Sequence, residues 1–209
     1  MLVEHTPQAD ETVSNFKFLH FSFFLSFILD RTGGADGKIN IWDSSSCQFI
    51  MSYDAEHPVL SLCRCPTSVW FGSRGLVGCV NFNTQQITTH AHSEKGKIWQ
   101  ILYVEESGEV WAFSSLGTIF SWSTKTGNLS KTILRHRDKI VAATYTNGLV
   151  WSCSADSVMI CWKARTYETL RTLRGVLSAV VVDAVCAGQS PACIWTSTKN
   201  NKICIYKKD

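Results

Sequence analysis

The chain has 209 residues, 45% hydrophobic and 18% charged, a soluble-protein balance long enough to bury one large core or two small ones. Twenty Lys and Arg against seventeen Asp and Glu leave +3 with no basic stripe, which argues against a dedicated nucleic-acid binder. Nine cysteines, an odd number with no Cys-x-x-Cys pair, argue against a secreted disulfide framework or a zinc ribbon and read as small buried hydrophobes of a reducing compartment.

Residues 16–29 read FKFLHFSFFLSFIL and hold six of the eleven phenylalanines. A bilayer span needs about 20 apolar residues, and Lys17 and His20 interrupt this shorter run. Glu4, Asp10 and Glu11 stand where a secretory leader needs positive charge. No transmembrane segment is expected. Phe, Ser, Leu and Ile share pyrimidine-rich codons, so a translated pyrimidine tract produces such text. Two readings stay open for residues 1–31: a non-repeat segment from an alternative transcript, or a buried strand pair.

Residues 32–209 repeat. The first copy carries Gly37-Lys-Ile-Asn-Ile-Trp42-Asp43 and the outer run Cys47-Gln-Phe-Ile-Met51, but has Asp30-Arg31 where later copies place a hydrophobic-Trp pair. It is therefore expected to lack its two inner strands. The second has Val59-Leu-Ser-Leu-Cys63, Val69-Trp70-Phe71-Gly72-Ser73, a longer turn from Arg74 to Val77, and Gly78-Cys-Val-Asn-Phe82. The third has Ile98-Trp-Gln-Ile-Leu102, Val110-Trp111-Ala112-Phe113-Ser114 and Gly117-Thr-Ile-Phe-Ser-Trp122. The fourth has Ile140-Val-Ala-Ala143, Val150-Trp151-Ser152-Cys153-Ser154, Ser157-Val-Met-Ile-Cys-Trp162 and the outer run Thr169-Leu-Arg-Thr-Leu173. The fifth has Val176-Leu-Ser-Ala-Val-Val181, Ile194-Trp195-Thr196-Ser197-Thr198 and Asn201-Lys-Ile-Cys-Ile-Tyr206.

The tryptophans of the hydrophobic-Trp pairs stand 41, 40 and 44 residues apart. Alternation in Ile39, Ile41 and in Val158, Ile160, Trp162 puts one face of each strand into a core. Ala-Asp-Gly, Arg-Gly and Lys-Asn-Asn supply tight turns between runs. Four short strands per roughly 40 residues predict an all-β protein, a β-propeller of four-stranded antiparallel blades. About four to five partial blades fit the length, as an incomplete ring.

The copies resemble the WD-repeat family. Arg135-His136-Arg137-Asp138, Ser152-Cys153-Ser154-Ala155-Asp156 and Ile160-Cys161-Trp162-Lys163 follow its Gly-His … Ser-Gly-Ser-x-Asp … Trp-Asp pattern, with His136 and Trp162 26 residues apart. Thr32-Gly33-Gly34-Ala35-Asp36 to Trp42-Asp43 follows it too. Leu116 and Asn200 replace the repeat Asp, and a true Trp-Asp pair survives only at Trp42-Asp43. The resemblance implies a hydrogen-bonded tetrad of His136, Ser152 (or Ser154), Asp156 and Trp162 that braces a blade and performs no catalysis. Opening the second strand with Val-Trp is similar to divergent repeats fused to larger signalling proteins, such as phosphoinositide phosphatases and DENN-domain exchange factors.

Motifs for chemistry are missing. Gly37-Lys38 and Gly96-Lys97 lack the upstream glycine of a phosphate loop. No His-Glu-x-x-His, Gly-x-Ser-x-Gly or paired carboxylates occur. Cys63-Arg64-Cys65 has no second pair to complete a metal site. His90-Ala-His92 reads as an exposed strand end. Glu105-Glu106 and Glu109 read as a solvated turn. No catalytic residue, metal or cofactor is expected.

In a propeller the blade-to-blade loops and the first hairpin turns share one face. That face would carry Arg74, Arg135, Arg137, Arg174 and Lys199 as the candidate partner-binding residues, with Asp54, Glu56, Glu94 and Asp138 among its acids. The local positive excess suits an acidic or phosphorylated peptide, or a phosphoinositide headgroup. The expected function is a non-catalytic, cytoplasmic protein-interaction scaffold, as a fragment or isoform of a larger signalling protein. The alternative is the regulatory propeller portion of a phosphoinositide phosphatase or DENN-type exchange factor.

Overall fold

The computed structural model describes residues 29–175 in full and, beyond them, the backbone of the strands Val180–Val182, Cys193–Ser197 and Ile203–Lys207. The expectations for residues 1–28 lie outside these described residues.

The described residues form strands joined by turns, in five antiparallel sheets that follow one another along the chain. The first holds β1 (Leu29–Gly33), β2 (Lys38–Asp43) and β3 (Phe49–Asp54). The second holds β4 (Ser61–Arg64), β5 (Ser68–Gly72), β6 (Leu76–Asn81) and β7 (Ile87–Ala91). The third holds β8 (Ile98–Val104), β9 (Glu109–Ser114), β10 (Thr118–Ser123) and β11 (Leu129–Leu134). The fourth holds β12 (Ile140–Thr146), β13 (Leu149–Ser154), β14 (Val158–Lys163) and β15 (Thr169–Arg174). The fifth holds β16 (Val180–Val182), β17 (Cys193–Ser197) and β18 (Ile203–Lys207). Each sheet is a meander, and neighbouring sheets meet through β1 and β4, β4 and β8, β8 and β12, and β12 and β16. This is the blade-after-blade order of a β-propeller.

Two sequence expectations need correction. The first copy does possess an inner strand: Asp30 and Arg31 lie in β1, opposite Trp42 and Ile41. These are the registers that Val150 and Trp151 hold against Trp162 and Cys161. Arg31 accordingly does what a tryptophan does elsewhere, laying its guanidinium 4.9 Å from the centre of the Phe82 ring in the next sheet.

Nor does each strand bury one face only. Blades stack face to face, so alternate residues feed two different cores. In β9, Trp111 and Phe113 join the core shared with the fourth sheet, while Val110 and Ala112 join the core shared with the second. In β14, Ile160 and Trp162 face the third sheet, and Met159 and Cys161 pack with Trp151 and Cys153 on the opposite side. The middle strands therefore read as continuous apolar text rather than strict alternation.

Hydrogen bonds at one recurring position tie the inner strands together. Gln100 Nε2 donates to Ala143 O at 2.6 Å and Gln100 Oε1 accepts from Ala143 N at 2.8 Å, so one side chain pairs with the next blade's backbone as a peptide would. Ser61 Oγ, one blade earlier, donates to Ile98 O at 3.2 Å.

The third-to-fourth-strand turns also recur. Asp43, Asn81, Ser123 and Lys163 each donate their N–H to the residue five positions on. The residue before that acceptor has positive φ: 56° at Cys47, 58° at Gln85, 71° at Gly127 and 59° at Tyr167. Asp43 Oδ1 caps its turn by accepting from Ser45 N and Ser46 N at 2.9 and 2.8 Å. The Ser46 N–H holds the Asp43 carboxyl below its ordinary value. The acid of the surviving Trp-Asp pair is a turn cap.

Candidate functional site

The fourth blade brings His136, Ser152, Asp156 and Trp162 together. Trp162 Nε1 donates to Ser152 Oγ at 2.9 Å, and Ser152 Oγ lies 2.7 Å from His136 Nε2. With the serine accepting from the indole, its own proton goes to Nε2, and the imidazole carries its hydrogen on Nδ1. Nδ1 faces Asp156 Oδ2 at 3.5 Å, too long for a strong bond. The carboxylate is engaged elsewhere: Oδ2 accepts from Arg137 N at 2.8 Å and Oδ1 from Val158 N at 3.0 Å. Ser154 stands apart from this chain of bonds. Its Oγ donates to Asp138 O at 2.8 Å and accepts from Asp156 N at 3.2 Å.

Burial by itself would raise the Asp156 carboxyl, but the two backbone N–H donors and His136 hold it below the ordinary value. Burial pushes His136 the other way for a base, below its ordinary value, against the pull of Asp156. The histidine is thus neutral at pH 7, and Ser152 is fully enclosed. No path leads a substrate to that hydroxyl. Asp156→Ala leaves two N–H groups without their acceptor and is expected to cost about 1–3 kcal/mol. Urea unfolding checks the loss, and partner binding measured well below the melting temperature should be unchanged.

Other blades vary the theme. In the first, Trp42 Nε1 donates to Thr32 Oγ1 at 3.0 Å. In the third, Glu94 occupies the place of His136, four residues before the inner strand, and its carboxylate accepts from Ser114 Oγ at 3.2 Å and from Thr118 Oγ1. Leu116 can stand where Asp156 does because Glu94 satisfies the hairpin from the other side. The sequence offered no signal for that exchange beyond its register.

Two further readings are overturned. His90 and His92 are not an exposed strand end: His90 stacks on Trp70 at 5.6 Å, and the His92 ring packs tilted against Phe120 at 4.6 Å. Glu109 is not part of a solvated turn. It opens β9 and accepts from Tyr167 Oη at 2.6 Å and Ser121 Oγ at 2.9 Å, while the Tyr167 ring stacks on Trp111. Burial, reinforced by the glutamate, pushes the Tyr167 phenol up to about 12. Tyr167 is 58 residues from Glu109 and binds the fourth blade to the third.

The loop face is assembled as follows. Gly117, at φ 88°, turns the third blade's hairpin so close to the loop leading into β12 that a Cβ would lie 2.8 Å from the carbonyl oxygens of His136 and Asp138. On that loop Arg135 and Arg137 are exposed, and together with Arg174 at the end of β15 they line one cleft of about 480 Å³. Among the described residues Asp156 is the one acid that lines it. Among the described residues these three guanidinium groups form no ion pair or hydrogen bond. Arg74 is exposed on the second blade, away from this cleft, in a backbone bridge to Lys97. Lys199 lies outside the described residues. Among the described residues no helix is long and apolar enough to cross a membrane, and no three His, Cys, Asp or Glu side chains gather as metal ligands.

No protein-family model matches the chain. In an alignment of 143 positions that covers 63% of this chain, it is 29% identical to a curated relative, Periodic tryptophan protein 2 homolog of Dictyostelium discoideum. It spans 15% of that protein. Among solved structures it is similar to Sqt1 of Saccharomyces cerevisiae, with a TM-score of 0.76 and 16% identity over 94% of this chain and 59% of that one. A chain of the mitotic checkpoint complex gives a TM-score of 0.71 at 15% identity, covering 87% of this chain and 58% of the other. The computationally designed protein Ika8 gives 0.69 at 17% identity, covering 94% of this chain and 58% of the design. At such identities the structural likeness speaks for the fold alone.

Proposed function

We propose that this chain is a WD-repeat β-propeller of divergent repeats that works as a non-catalytic, cytoplasmic protein-interaction scaffold. The reading rests on one observation: Arg135, Arg137 and Arg174 converge on a single cleft where Asp156 is the one acid among the described residues, leaving a positive excess. Three fixed positive charges on a rigid blade favour an acidic partner and specify its orientation. The tetrad serves as bracing, because its serine is enclosed and its histidine is held between a hydroxyl and a carboxylate. Arg74 extends the candidate face to the second blade. The relatives above do not favour the regulatory portion of a phosphoinositide phosphatase or DENN-type exchange factor.

Affinity capture on the full 209-residue chain, followed by mass spectrometry, tests the proposal. A protein retained at low salt and released as ionic strength rises is expected. Reversal of Arg74, Arg135 and Arg137 to Glu should weaken its retention. Retention that ignores both changes places the contact elsewhere. Turnover in a hydrolase or transferase screen of the purified chain would overturn the non-catalytic reading.

A further inference from the structure

The arginine cleft does not stand alone. A second cavity of about 660 Å³ lies beside it, between the outer strands β11 and β15, and the two share Arg135 and Thr169 in their walls. They form one groove running down the outer wall between the third and fourth blades. Its upper end holds the three arginines, with Thr172 on the same wall and Thr169 further down, where the two cavities join. Its lower part is flanked by Leu170, 50% exposed, while Leu134, 74% exposed, stands beside Arg135 at the upper end. Leu170 owes that position to the bulge opposite Trp162, where the pairing shifts between Cys161 and Trp162. Lys131 and Glu168 offset each other at the far end. Both β11 and β15 are edge strands of their sheets.

We propose that this groove binds an extended peptide segment bearing a phosphorylated serine or threonine at the arginine end and an apolar side chain beside Leu170. The proposal rests on the scaffold reading and deepens it by naming the partner's chemistry. Charge chooses phosphate over a single carboxylate. Three guanidiniums against Asp156 leave two positive charges, and the Asp156 oxygens already accept from Arg137 N and Val158 N. Asp138, on the same loop, turns its carboxylate to Lys139 N. A phosphoryl group carries about −1.5 to −2 at neutral pH and three acceptor oxygens, which matches that excess where one carboxylate would not. Length then sets the second contact. Leu170 and Arg174 are four residues apart on one strand, about 13 Å at ~3.3 Å per residue. An extended ligand would thus place its apolar residue about four positions from the phosphate, and the bare strand edges offer main-chain partners along the way.

Short synthetic peptides with a central phosphothreonine or phosphoserine and randomised flanks are the probe, presented to the full chain beside the same pools unphosphorylated or carrying Glu. Phosphorylated pools should be retained at least about tenfold better, with selection for Leu, Ile or Phe three to five positions away on one side. Arg135→Gln with Arg137→Gln and Arg174→Gln should abolish retention while the melting curve stays that of the parent, since all three side chains are exposed. Leu170→Asp should erase the apolar selection and leave the phosphate preference. Equal retention of all pools, or retention indifferent to the arginines, overturns the groove. So does arginine-dependent binding to phosphatidylcholine vesicles containing phosphatidylinositol bisphosphate when no peptide binds. Failure of the peptides with protein capture intact overturns this proposal alone; loss of protein capture as well overturns the scaffold reading beneath it.

Discussion

Trp162→Ala is expected to remove about 3–5 kcal/mol of folding free energy, enough to unfold a marginal chain outright. The indole is 1% exposed and belongs to the core between the third and fourth blades. Its loss opens a cavity there and deprives Ser152 Oγ of its donor. Stacked repeats draw stability from their neighbours, so the damage falls on the interface and not on one blade. Trp42→Ala is the control. Trp42 holds the same register but is half-buried, and its described contacts are the Thr32 hydroxyl and the edge of Phe49 at 5.5 Å. It should cost well under half as much. Urea unfolding followed by circular dichroism compares the two. Equal losses would mean that the interface between the blades contributes little beyond the sheet itself.

Acid is expected to weaken the fold from pH 6.5 downward through three histidines. Burial holds His90, His92 and His136 below their ordinary 6.5, with Glu94 opposing it at His92 and Asp156 at His136. The unfolded chain therefore binds protons that the folded chain refuses. Stability is fully present above the unfolded value and is lost as pH falls towards the folded one, by at most about 1.4 kcal/mol per pH unit for His136 and by less for the half-exposed His90 and His92, which solvent screens. Asp156 acts lower down: its folded value lies beneath the ordinary 3.8, so its share disappears only in stronger acid. Melting temperatures taken between about pH 7.5 and 5 should decline steadily, and His136→Gln should flatten part of that slope. A melting temperature that holds constant over this window would refute the buried-neutral assignment.

Both effects arise from contacts that a linear reading reaches unequally. The blade architecture was visible because its cause is local. An apolar run, a turn and a second run every 40 or so residues build the same meander wherever they occur, and Trp111, Trp151 and Trp162 fall into the strands expected of them. The four side chains around Trp162 were likewise visible, because a repeated polar pattern in an otherwise apolar strand must find its own partners. The sequence grouped Arg135, Arg137 and Arg174 with Arg74 and Lys199; the structure brings the first three to one cleft and holds Arg74 apart from it.

The partnerships between blades were decided by the tertiary structure. Tyr167 meets Glu109 across 58 residues and Gln100 meets Ala143 across 43, separations that no fixed pattern announces. His90 and Glu109 looked solvated because a single strand does not reveal which aromatic ring the adjoining blade will lay against it. Glu94 could replace a histidine, and Arg31 a tryptophan, because what stacking conserves is the satisfied hydrogen bond and the filled face, and more than one residue type meets either need. The turns at Cys47, Gln85 and Tyr167 adopt positive φ without glycine for the same reason: the strands on either side are already fixed, and their pairing outweighs the local backbone preference.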